Sequence, residues 1–175
     1  MPCTRGSKRT RITLLKGPTT VEKIKGHRRL FRRLWGEFVP LAEECLQREG
    51  VVSIEWPGDC LYWKDPRVVR FLVKHGFFST VFDGCMYGLK SVVKRYEGIP
   101  IRKPWRVDSS SHHVGRELAK GCDRTHDHVR CGGGDTIKTQ GSTIDIATRI
   151  HNAFHNWSFD PQSSQEVNAS SGTHE

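Results

Sequence analysis

Three short apolar runs limit what this chain can fold into: VVSIEW (51–56), the opening of FFSTVFDGCMYGL (77–89), and KPWRVD (103–108). Pro57-Gly58 closes the first and Asp83-Gly84 the second. Runs of this length, rich in β-branched and aromatic residues and ended by turn formers, read as strands of five or six residues. Three of them make one small sheet.

The intervening segments carry helical spacing. Thr20 caps a predicted helix from Val21, in which Ile24, Phe31, Leu34, Trp35, Phe38, Leu41, Ala42 and Cys45 form one apolar stripe. Pro40 is expected to kink or split it, and Gly50 to end it. Asp65-Pro66 opens a second helix that stops before Gly76. Ser109–Ser111 cap a third, running to about Lys120. A last helix spans Ser142 to about Phe154, with Ile144, Ala147, Ile150 and Phe154 on one face. The resulting order predicts an α/β domain with a small mixed sheet flanked by helices. The strand–helix–strand unit implies a parallel crossover, and Lys103–Asp108 an antiparallel edge strand.

Apolar residues make up 35% of the chain, too few for uniform order. Residues 1–20 read as a flexible basic segment, 21–157 as the α/β domain, and the Ser-rich 158–175 as a disordered tail. The apolar run of a membrane span or a secretory signal is not present, so an intracellular protein is expected, with nuclear localisation a consequence of its basic segment.

Charge supplies the clearest functional signal. The 28 Lys and Arg against 19 Asp and Glu give a formal charge of +9. From Arg5 to Arg33 eleven cations face one acid, Glu22. These are Arg5, Lys8, Arg9, Arg11, Lys16, Lys23, Lys25, Arg28, Arg29, Arg32 and Arg33. Cations at this density suit the phosphate backbone of nucleic acid, without selecting bases. The bland alternative is a solvated basic tail and helix face.

A second signal is GCDRTHDHVRCGGG (121–134). Cys122, His126, His128 and Cys131 are the candidate metal ligands: two thiolates and two imidazoles suit tetrahedral zinc. Asp123 or Asp127 could orient an imidazole. Two other readings stand beside this one. In one, three ligands lie here and the fourth, Cys85 or His113, comes from elsewhere. In the other, this is a polar loop with Cys122 half-buried and both histidines solvated. Cys85-Met86-Tyr87-Gly88 otherwise reads as a structural turn. Glu55 pairs with Arg106 or binds a hydroxyl group, and Cys60 is a packed loop residue or a reactive thiol.

Four motifs carry a resemblance: Glu55-Trp56-Pro57, Tyr87-Gly88, Arg102-Lys103-Pro104-Trp105-Arg106, and Gly141-Ser142-Thr143 before the last helix. Over about residues 50–156 the chain resembles the C-terminal half of a Rossmann-like methyltransferase of the DNA cytosine-5 type, as in a domain of retroelement polyproteins. The glycine-rich cofactor loop and the Pro-Cys nucleophile of that family have no counterpart here. The resemblance therefore implies a non-catalytic or incomplete domain of mobile-element origin, with other chains of a polyprotein as partners. S-adenosylmethionine enters only if a partner completes the enzyme, and a decayed reading frame without selected function is a further alternative.

Overall fold

The computed structural model describes residues 18–158, apart from 133 and 140. The expectations for the N-terminal segment and the tail therefore lie almost entirely outside the described residues.

Helix α1 (Pro18–Gln47) runs 30 residues, unbroken through Pro40. Strand β1 (Ser53–Pro57), a 3₁₀ turn (Leu61–Lys64), α2 (Pro66–Lys74) and β2 (Phe78–Asp83) follow. Two further 3₁₀ turns (Gly84–Tyr87 and Lys94–Tyr96) lead to β3 (Pro104–Ser109). The chain then forms α3 (His112–Leu118), a short α4 (Gly134–Lys138) and α5 (Ile144–Ser158).

The mixed α/β character and the small helix-flanked sheet are as expected. The pairing differs. The strand order is β1-β3-β2, and both pairings are antiparallel. β3 is therefore the central strand rather than the edge. β1 and β2 run parallel to each other but never touch, so the crossover through α2 is split by β3. The physical reason is burial: β3 shows the pattern eBiBBB, which only a strand covered on both faces sustains, and Trp105 and Val107 are 2% and 3% exposed.

Register decides what each face meets. Ile54 and Trp56 lie opposite Asp108 and Arg106. Directly opposed residues share a face, so this face packs beneath α1 and α2. Phe31, Trp35 and Ala42 of α1, and Val68, Phe71 and Leu72 of α2, bury themselves there with Trp63. Aromatic pairs dominate this core. Phe31 stacks on Tyr62 at 3.8 Å, and Trp35 meets Phe71 edge-on at 5.6 Å. The other face carries Phe82, Trp105 and Val107, covered by Val114 and Leu118 of α3 and Ile146 and Ala153 of α5. Gly115 lets α3 approach β2 closely: a Cβ there would sit 2.6 Å from Thr80 Oγ1.

Local sequence explains most boundaries. Asp65 caps α2, its carboxylate accepting the Arg67 N–H at 3.0 Å. Ser111 does the same for α3 through the His113 N–H. The stripe expected on α5 is rotated. Ile146 and Ala153 are buried, whereas Ile144 is 86% and Phe154 48% exposed. In isolation either stripe has helical spacing; packing in one core with Leu118 and Val107 selected Ile146, Ile150 and Ala153.

Candidate metal centre

The loop after α3 returns to the far end of β2. Cys85 lies in the 3₁₀ turn that follows β2, and Cys122, His126 and His128 lie in the loop. Their four donor atoms all fall within 4.8 Å of one another. Cys122 Sγ is 3.8 Å from His126 Nε2 and 3.4 Å from His128 Nε2, and Cys85 Sγ is 3.4 Å from His128 Nε2. Metal bonds of about 2.3 Å to sulfur and 2.0–2.1 Å to nitrogen, at tetrahedral angles, separate S and N donors by roughly 3.6 Å. The observed spacings bracket that figure. All four residues are half-buried. The cluster could hold a metal ion.

Details of the loop support ligation. Arg124 adopts φ 63°, a left-handed conformation that a non-glycine residue takes at a cost. In it, the Arg124 N–H points at Cys122 Sγ, 3.3 Å away. Asp123 stands 4.0 Å from His126 Nδ1, the nitrogen facing away from the cluster, where a carboxylate orients a ligating imidazole. The Thr125 N–H and Oγ1 bond the same carboxylate and hold it below the usual range. Burial, the Cys122 thiol beside it and the charge of Asp83 push the Cys85 thiol up to about 12. A bound cation would offset that cost by favouring the Cys85 thiolate.

Of the candidate ligands, Cys122, His126 and His128 come together, but Cys131 does not. It is 7% exposed, packs with Leu89 and Ile101, and lies 3.5 Å from Thr139 Oγ1. The cause is one residue pair: Val129 bridges Ile101 and donates its N–H to Pro100 O at 3.0 Å. This pulls the chain away just after His128. Cys85 takes the fourth place, the three-plus-one arrangement in which the fourth ligand comes from a distant segment. His113 is not a member of the cluster. The sequence offered Cys85 only as an alternative fourth ligand, because its turn, Asp83-Gly84-Cys85, has a complete structural explanation without a metal.

The other candidates separate. Lys23, Lys25, Arg28, Arg29, Arg32 and Arg33 are all exposed along α1, with Lys25 paired to Glu22 at 2.9 Å. Arg5, Lys8, Arg9, Arg11 and Lys16 lie outside the described residues. Arg106 pairs with Asp108 through two bonds of 2.6 Å, not with Glu55, which stands opposite Val107 on the other face of the sheet. Cys60 is buried beside the aromatic core and disulfide-bonded, so it carries no free thiol to act as a nucleophile. Tyr87-Gly88 and Gly141-Ser142-Thr143 do meet: Thr143 Oγ1 donates to Tyr87 O at 2.6 Å. Among the described residues no helix is long and apolar enough to cross a membrane.

No family model, no curated protein and no solved structure matches this chain.

Proposed function

We propose that this chain is a non-catalytic nucleic-acid-contacting domain whose loop end is held by structural zinc. The observation that carries the contact is the surface of α1. Six cations are exposed on a helix whose aromatic side is locked into the core by Phe31 and Trp35. Arg28, Arg29, Arg32 and Arg33 form two adjacent rows, spaced i and i+4. A fixed basic edge meets phosphates without reading bases.

Zinc follows from the donor set. Two thiolates and two imidazoles at tetrahedral spacing suit it, and four protein ligands leave no open position for catalysis. The methyltransferase-like motifs belong to this reading as ancestry in a mobile element. On this reading S-adenosylmethionine is no ligand of the chain alone, and calorimetry gives no heat; heat would favour the partner-completed enzyme instead.

The test is fluorescence anisotropy with a labelled duplex across about 50–200 mM salt. Five or six phosphate contacts give a log–log slope between about −4.5 and −5.5. Reversing Arg28, Arg29, Arg32 and Arg33 to Glu should abolish binding. Binding no stronger than a neutral control protein at about 50 mM salt sinks the proposal.

A further inference from the structure

Asp83 is the last residue of β2, two positions before Cys85, and its side chain is 10% exposed. Its two carboxylate oxygens do different things. Oδ2 accepts the backbone N–H of Cys122 at 3.0 Å. Oδ1 accepts from Arg102 Nε at 3.3 Å. The Asp83 N–H in turn donates to Lys120 O at 3.4 Å. One residue therefore ties the strand end to the chain on either side of Gly121, where the ligand loop begins.

We infer that Asp83 is the positioning residue of the metal centre: it holds Cys122 in ligating register with Cys85 through the Cys122 amide. The inference rests on the metal reading above. Cys85 and Cys122 are far apart in sequence, and their sulfurs must meet a single ion to within a few tenths of an ångström. A loop ligand left untied would lose conformational entropy each time a metal bound. The carboxylate removes that freedom beforehand. An ionised acceptor makes a stronger bond to the amide than a neutral one, and Arg102 keeps it aimed. Asp83 touches no metal donor atom, so it acts only through Cys122.

The probe is Co(II), titrated into the full chain in competition with a chelator. The d–d bands and the sulfur-to-cobalt charge-transfer band report geometry and thiolate count. Wild-type protein should give a tetrahedral spectrum with two thiolates. Asp83→Ala should bind roughly tenfold to a hundredfold more weakly, with a weakened charge-transfer band. Asp83→Asn should fall between, since its amide oxygen can still accept the Cys122 N–H. Asp65→Asn serves as the control: it destabilises the fold elsewhere and should leave Co(II) affinity unchanged. Should Asp83→Ala fail to fold, Asp83→Asn and Arg102→Met decide, both weakening Co(II) binding if Asp83 positions the loop. Wild-type protein that takes up no Co(II) overturns the metal reading and this inference together. Wild-type binding that Asp83→Asn and Arg102→Met both match overturns the inference alone.

Discussion

Glu49 and Gly50 show how a single residue can be misjudged. A glycine after a helix is the expected left-handed terminator, and Gly50 stands where it should. Yet Glu49 carries the positive φ of 59°. The Gly50 N–H reaches Cys45 O at 2.8 Å and the Glu49 N–H reaches Leu46 O at 3.0 Å, the paired bonds of a Schellman ending. Gly50 is required for a different reason: a Cβ there would sit 2.5 Å from Cys45 Sγ. Glu49→Gly should therefore stabilise the protein by about 1 kcal/mol, while Gly50→Ala should destabilise it; urea denaturation of both variants checks the pair.

Asp65 gives a pH-dependent counterpart. Arg67 bonds its carboxylate at 2.9 and 2.7 Å and holds its pKa below the ordinary value. A depressed carboxyl stabilises the fold above the unfolded-state pKa and loses that contribution as pH falls through the folded one. The stability difference between wild type and Asp65→Asn should be constant from about pH 5 to 7. It should shrink steadily below about pH 4. Asp65→Ala should cost about 1 kcal/mol at neutral pH through the lost cap.

At the scale of elements, the loop from Gly121 to Cys131 divides at Val129. Residues before it serve the Cys/His cluster, and residues after it serve a small core with Leu89 and Ile101. Cysteine-to-serine variants should separate the two roles. Elemental analysis should find about one zinc per chain in wild type and in Cys131→Ser, and none in Cys85→Ser or Cys122→Ser. Chelation should lower the thermal midpoint of wild type and of Cys131→Ser but leave Cys85→Ser unchanged. Zinc retained by Cys85→Ser but lost from Cys131→Ser would reverse the assignment.

At the scale of the molecule, the sheet separates two cores, and β3 belongs to both. Its Trp105 and Val107 face α3 and α5, while Arg106 and Asp108 face α1 and α2. A charged pair on that face is tolerated because Arg106 lies over the Trp63 ring at 4.4 Å and bonds Asp108 twice. The two partners differ in exposure, 28% for Arg106 and 2% for Asp108. Removing Arg106 leaves a buried carboxylate without its cation, so Arg106→Ala should cost about 3 kcal/mol or more. Asp108→Ala leaves a guanidinium that still rests on Trp63 and reaches water, so it should cost less. Chemical denaturation of the two variants tests the asymmetry.

Elements were legible in this chain because their signals are local. Asp65-Pro66 dictates a helix start through one cap and one fixed φ, and VVSIEW dictates a strand through its side chains and its stops. The exposed cations of α1 followed from the same spacing that buried Phe31 and Trp35. Three of the four clustered Cys/His residues were legible together because they sit within seven positions of each other.

What sequence alone determined, then, was the three strands and the four longer helices, with their polarity and charge; the short α4 and the 3₁₀ turns were not among them. Tertiary structure decided which strand is central, which stripe of α5 is buried, and that Cys85 rather than Cys131 completes the cluster. The physical reason is common to all three: each depends on a contact between distant segments, such as Val129 on Ile101 or β3 between β1 and β2. Local patterning constrains faces and boundaries, but only packing chooses among partners that are equally suitable on paper.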